Sequence, residues 1–169
     1  MKRELAIVLI AVWMAGGIFT MLVATQNFHT IDRLLETKPN PAFSDLVESI
    51  GETKVRKLLR YLSSELNRLY FQVWGICQLV LGLVLVWLVH ESQFRRIRYG
   101  VLAILAVTVV LAFAITPSIL SIGRALDFVP RDPVPHELKT FGMLHALYAS
   151  LEFIKLVMTG VVAFWLQKN

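Results

Sequence analysis

The sequence has one cysteine, Cys77, and little charge: 17% of its 169 residues are Asp, Glu, Lys or Arg, against roughly 25% in an average soluble domain. A single cysteine makes no internal disulfide and no Cys-x-x-Cys metal site. Scarce charge, 56% hydrophobic residues and a mean hydropathy of +0.63 exclude a water-soluble globule. They exclude a disordered chain as well, because a chain stays disordered only when it is too poor in apolar residues to bury a core. Also missing are a phosphate loop, a paired-carboxylate site, a nucleophile set beside a base, and any H-x-x-E-H or H-E-x-x-H spacing. Hydrolase and kinase chemistry, catalytic residues and a metal are therefore not expected.

What the chain does have is long runs free of Asp, Glu, Lys and Arg, at 5–31, 69–90, 99–123 and 140–167; only the last is interrupted, by Glu152 and Lys155. A helix crossing a hydrocarbon core needs about 20 apolar residues, and nothing alternates with the period of two that a barrel requires. The expectation is an all-α integral membrane protein, a four-transmembrane-helix bundle forming one domain over 1–169. Its spans should lie near 5–27, 67–90, 97–121 and 140–166. The first run is longer than the roughly 7–15 residues of a signal-peptide core, so it is expected to be a retained span.

Between the first two spans lies a segment at 32–66 whose Lys38-Pro39-Asn40-Pro41 stretch breaks the chain before a new helix. Phe43, Leu46, Val47 and Ile50 then share a helical face, and after Gly51 the set Val55, Leu58, Leu59, Leu62, Leu66 and Leu69 repeats the pattern. Lys54, Arg56, Lys57 and Arg60 occupy the opposite side. This reads as an amphipathic interfacial helix with a lipid-facing basic side, lying in the headgroup layer or packed on the bundle; the alternative is a solvated helix with an incidental charge run. Membrane lipid is thus the expected partner of the net charge of +5, and nucleic acid is not needed. Arg95, Arg96 and Arg98, with Lys2, Arg3 and Lys168, favour both termini inside, which puts Trp87 and Trp165 at the cytoplasmic interface. The cations of the first loop count the other way. A multi-pass protein of a bacterial inner (plasma) membrane is the expected location.

The candidate site is a polar stripe on the fourth span. Glu152 and Lys155 lie near its middle, three residues apart and so on one face, and His145, Tyr148 and Thr159 extend the same stripe. Charge at that depth is costly and by default functional. The stripe is either a relay or polar ligand pocket, or a buried ion pair that sets helix register. Gln72 and Gln78 in the second span, with Thr25 and Gln26 in the first, are possible interhelical partners or ordinary interhelical hydrogen bonds. His29, His90 and His136 lie at or beyond span ends, so haem ligation is confined to one alternative, His29 with His145. Cys77 reads as a small hydrophobe, Gly16, Gly17 and Gly75 as close helix contacts, and Pro117 as a kink or end of the third span.

Ala11-Val12-Trp13-Met14-Ala15-Gly16-Gly17-Ile18-Phe19, then Phe28, Tyr70-Phe71, Thr116-Pro117-Ser118-Ile119 and Phe141-Gly142-Met143-Leu144-His145-Ala146-Leu147-Tyr148, resemble the transmembrane protein 205-like family of small four-span proteins. The resemblance covers nearly the whole chain and implies a four-helix membrane bundle without supplying a reaction. More remotely the pattern is similar to copper-resistance-D-like four-helix proteins, in which a histidine of the first span helps bind haem or metal. Here that stretch, Leu5-Ala6-Ile7-Val8-Leu9-Ile10, has none. Of the matched positions only His145 carries over, as a packing or ligand residue. The resulting expectation is a non-catalytic accessory protein acting through lateral helix contacts, with other membrane subunits or its own copies as partners and no cofactor. An oligomeric transporter or channel using the stripe is the alternative, and a haem- or quinone-binding subunit a third reading.

Overall fold

The computed structural model describes residues 2–90 and 95–168, all of it helix and short connections. The helices are α1 (Lys2–Thr37), α2 (Pro41–Ile50), α3 (Glu52–Val89), α4 (Arg95–Val110), α5 (Thr116–Ala125) and α6 (His136–Lys168), with a π-helical segment, Leu111–Ile115, joining α4 to α5. Among the described residues four continuous stretches are long and apolar enough to cross a membrane: Lys2–Thr37, Glu52–Val89, Arg95–Ala125 and His136–Lys168. α1 packs on α3 and α6, and α4 packs on the same two helices, so the four form a ring in which α3 and α6 face each other across the diagonal.

The main core fills one end of the ring, the end that holds both chain termini. Ile10 and Trp13 of α1, Leu85 and Leu88 of α3, Ile97 and Val101 of α4, and Val162 and Leu166 of α6 meet there, all buried. Helices approach this closely where a glycine leaves room for a large ring or branched chain. A Cβ on Gly82 would stand 2.7 Å from Leu105 and 3.2 Å from the Trp13 ring, and one on Gly16 would collide with Trp74. Gly75, expected at such a contact, has nothing within 4 Å; it faces the opening described below. On the outside, Phe19, Ile76, Leu83, Phe113 and Phe153 are each more than 60% exposed. Large apolar side chains in such number need an apolar surrounding rather than water.

At the other end α1 and α3 are longer than a membrane crossing requires. Their 36 and 38 residues make rods of about 54 and 57 Å, against a hydrocarbon core of about 30 Å. Ile31 and Leu35 of α1, Val47 of α2 and Val55 of α3 form a second small core there, with Phe43 and Leu59 against it. The turn into α2 follows from local chemistry: Asn40 is its N-cap, accepting from the Phe43 amide at 3.3 Å, and Pro41 opens the helix where no N–H is required. Gly51, at φ +92°, then reverses the chain into α3, a conformation that only glycine adopts freely.

The segment at 32–66 is thus three pieces: the last turns of α1, all of α2, and the first turns of α3. Nothing between 52 and 69 breaks the helix, so the basic stretch continues straight into the apolar part of α3. Its apolar side is divided. Val55 and Leu59 pack on α1 and α2, whereas Leu58 and Leu62 are more than half exposed. Pro117 does not end the third apolar stretch, which runs on as helix to Ala125. The π segment just before it widens the helix, the Thr116 amide bonds back to the Leu111 carbonyl, and Pro117 takes an early position of α5, where its missing N–H costs little.

Candidate functional site

Leu138, Phe141, His145, Tyr148, Glu152, Lys155 and Thr159 recur every three or four residues on α6 and so share one face. Burial deepens along it: His145 is exposed, Tyr148 and Glu152 are half-buried, and Lys155 and Thr159 are buried. The Lys155 ammonium lies 2.7 Å from Glu152 Oε1 and also donates to Gln78 Oε1 of α3. That second bond crosses the diagonal of the ring. Gln78 is 1% exposed, so the pair is held inside the bundle by an acceptor that is itself fixed. Thr159 donates to the Lys155 carbonyl at 2.7 Å, and Thr108 of α4, also buried, donates to the Ile104 carbonyl at 2.9 Å. Tyr148 sits one turn from Glu152, within electrostatic reach of it.

Of these polar groups Gln78, Thr108, Tyr148 and Glu152 line a cavity of about 520 Å³, while Lys155 and Thr159 stand behind it. Its walls are mostly apolar: Leu69, Val73, Ile76 and Leu79 come from α3, and Leu111, Ala112, Phe113, Pro117 and Leu120 from the π segment and α5, with Gln72 and Thr116 among them. Val73, Ile76 and Phe113 stand half or more exposed on the outer surface. The cavity therefore opens sideways between α3 and the π–α5 stretch, on an exposed apolar face. Contacts of α3 with that stretch are sparse compared with its packing on α4, and the widened π turn lies along the gap. Gln78, Thr108, Tyr148 and Glu152 meet at its inner end.

A second cavity, about 650 Å³, lies nearer α2, lined by Arg56, Lys57, Arg60 and Arg68 of α3, Arg131, Phe128 and Asp127 of the α5–α6 connection, and Phe141 and His145 of α6. Arg68 joins the Asp127 carboxylate through two bonds, at 2.8 and 3.0 Å, and also bonds Glu65; Arg124 reaches Glu65 at 3.5 Å. The Arg68 hydrogen bond holds the Glu65 carboxyl below the usual carboxylate range, outweighing desolvation by burial. Arg56 pairs with Asp32 at 2.5 Å and Glu52 at 3.1 Å, and the Glu52 bond leads the influences that raise its affinity for its proton.

Of the expected site residues, then, Tyr148, Glu152, Lys155 and Thr159 come together with Gln78. His145 stacks on Phe141 at 6.0 Å between ring centres and lines the second cavity. Gln72 lines the first cavity, while Gln26 is exposed on α1. The polar contact between α1 and α3 is made instead by Asn27, which donates to Asn67 at 2.7 Å, and by Asn67, which donates to the Ala24 carbonyl at 3.0 Å; Thr25 bonds within its own helix. Of the basic set, Arg56 and Arg60 both face Asp32, the latter at 3.6 Å, whereas Lys54 and Lys57 are without an ion pair among the described residues. His29 is exposed on α1. Among the described residues no group of three or more His, Cys, Asp or Glu is placed to hold a metal ion. Sequence reasoning missed Arg68 with Asp127, partners 59 positions apart at two span ends; charge at a span end is common, and no spacing rule links the two. Compared with known proteins, the chain matches no family model, no curated protein and no solved structure.

Proposed function

We propose that this is a four-span integral membrane protein that binds an amphiphile dissolved in the bilayer, without transforming it, in the cavity between α3 and α5. One observation carries the reading. An apolar cavity open toward lipid ends on hydrogen-bonding groups, the buried Gln78 and the half-buried Tyr148 and Glu152, with Lys155 behind them. Ligand sites combine apolar walls with a few placed polar groups in this way, and roughly 300–1,000 Å³ is their usual size. A hydrocarbon chain entering from the side stays in an apolar medium, while a hydroxyl or carbonyl on it gains a partner at the floor. The buried core of Trp13, Leu85, Ile97, Val101 and Val162 fills the ring at the terminal end, which favours storage or presentation of a ligand over a path along the bundle axis.

Mass measurement of the intact protein released from a mild detergent tests this. Wild type should carry a bound amphiphile. Ala112→Trp, which fills the cavity from its wall, should lose it while remaining folded. Wild type free of any adduct, after extraction directly into lipid nanodiscs, would refute the proposal.

A further inference from the structure

The two cavities lie on one seam. On α3 the positions Lys57, Tyr61, Ser64 and Arg68 of the outer cavity continue, at steps of three or four, into Phe71, Gly75 and Gln78 of the inner one. Likewise Phe141 and His145 continue into Tyr148 and Glu152 on α6, and Gly123 into Leu120 and Pro117 on α5. The outer cavity therefore begins one turn above the inner, along the same three helices, and the Phe71 and Tyr148 rings meet edge to face across the seam, 5.6 Å between centres, so a chain entering the inner cavity from above has to part them. The two differ in chemistry. The inner is apolar with a small polar floor, whereas the outer carries five cationic side chains, Arg56, Lys57, Arg60, Arg68 and Arg131, against one carboxylate, Asp127.

Part of that charge is already answered. Arg56 and Arg60 face Asp32, and Arg68 faces Asp127 and Glu65. Lys57 on α3 and Arg131 in the connection have no ion pair among the described residues, yet both line the cavity. Its rim is held by a strained residue: Phe128 takes φ +61°, unusual for a bulky side chain, and its ring lies 5.0 Å from Tyr61. Phe128, Val129 and Val134 are exposed here, apolar groups suited to the headgroup boundary of a bilayer.

We infer that the seam takes one phosphate-bearing lipid of the bilayer, its phosphate between Lys57, Arg60 and Arg131 and its hydrocarbon chain descending past Phe71 and Tyr148 into the inner cavity. The inference rests on the proposed function, because the inner cavity must hold a chain, and it adds the class of ligand: an anionic phospholipid. The depth order fits. Along α3 the cations come first and Gln78 last: Lys57 and Gln78 are 21 positions apart, about 32 Å of rise, about twice the half-thickness of a hydrocarbon core, so the phosphate sits outside the hydrocarbon and the chain points toward its middle.

The test places the whole protein in nanodiscs of phosphatidylcholine with a minority of phosphatidylglycerol and measures, by mass after transfer to mild detergent, which lipid is retained. Wild type should retain phosphatidylglycerol. In Lys57→Ala/Arg131→Ala the retained fraction should fall about thirtyfold, equivalent to about 2 kcal/mol at roughly 1 kcal/mol per cation near the surface. Removing two cations outside the cavities, Lys54→Ala/Lys139→Ala, should leave it unchanged. Inorganic phosphate alone is the second arm: a rise in melting temperature in wild type, absent in the Lys57/Arg131 variant, would make this a site for free phosphate and overturn the lipid assignment. Retention of an uncharged amphiphile that Ala112→Trp abolishes and Lys57→Ala/Arg131→Ala does not would also overturn it while leaving the proposed function standing. Loss of phosphatidylglycerol in the Lys57/Arg131 variant but not in Ala112→Trp would place the headgroup correctly and refute the chain's path.

Discussion

Replacing Glu152 by Leu removes the one carboxylate bonded to Lys155 among the described residues and leaves the ammonium, 3% exposed, with the neutral Gln78 oxygen. Breaking a buried pair from one side typically costs about 3–5 kcal/mol, because a charge is left uncompensated. Lys155→Met is the milder change. Gln78 and Glu152 lose a donor, at about 1–3 kcal/mol for orphaned buried acceptors, but Glu152 borders the cavity and can take up a proton, so no net charge need remain. The double replacement leaves only Gln78 unsatisfied and should cost no more than about 1–3 kcal/mol. Both single losses together therefore exceed the double loss by about 3 kcal/mol or more. Thermal unfolding in detergent reads this, at about 2–4 °C per kcal/mol for a chain of this size: Glu152→Leu should lower the midpoint by about 6–20 °C, and adding Lys155→Met should restore about half of it. Additivity within about 0.5 kcal/mol would refute the coupling, since side chains that do not interact have no such term.

At the α1–α3 contact, Asn67→Leu strands the Asn27 amide and removes a second bond to the Ala24 carbonyl, and should destabilise by about 1 kcal/mol, the usual scale for an interhelical hydrogen bond in a membrane; thermal unfolding checks it. Gly82→Ala drives a methyl against Leu105 and Trp13 and should cost about 1–3 kcal/mol, whereas Gly75→Ala, with open space around it, should be neutral or stabilise by up to about 1 kcal/mol through helix propensity. Because the Glu65 carboxyl is held below its ordinary range, its ion pairs add stability above that range. The contribution should fade as pH falls through the lowered value, and an unfolding series in acid should show less of this fading in Glu65→Gln. With Cys77→Ala as background, an impermeant maleimide should label a cysteine at Ser44 from outside and leave one at His90 unlabelled if both termini are inside; the opposite pattern reverses the orientation.

Much of the architecture is legible from residue order. Charge-free runs locate the four long apolar helices because a charge within a span is costly enough to be rare, and the spacing of Glu152 and Lys155 places them on one face of α6 before any packing is known. Which glutamine meets Lys155 is not legible. Gln26, Gln72 and Gln78 are equally polar, and the choice depends on the rotation of α3 about its axis and on its diagonal place opposite α6. The basic stretch at 54–60 reads as its own helix because Pro39 and Pro41 mark a start plainly, while continuity into a span leaves no mark. Gly75 looks as suited as Gly82 to a close contact for a related reason: a glycine shows its use only once the ring or branched chain packed over it is known. The π segment before Pro117, and with it the lateral opening, depends on how one helix resolves a missing N–H against its neighbours.

Whether the cavity faces lipid or water is read by the accessibility of a nitroxide attached at residue 75, in a Gly75→Cys, Cys77→Ala protein in lipid nanodiscs. If the cavity opens into the bilayer, collisions with oxygen, which concentrates in hydrocarbon, should be frequent and those with a water-soluble nickel complex rare. Adding the bound amphiphile should lower the oxygen collisions and slow the nitroxide. Frequent collisions with the nickel complex would refute a lipid-facing site, because the seam would then be a water-filled passage instead of a place for a membrane-dissolved ligand.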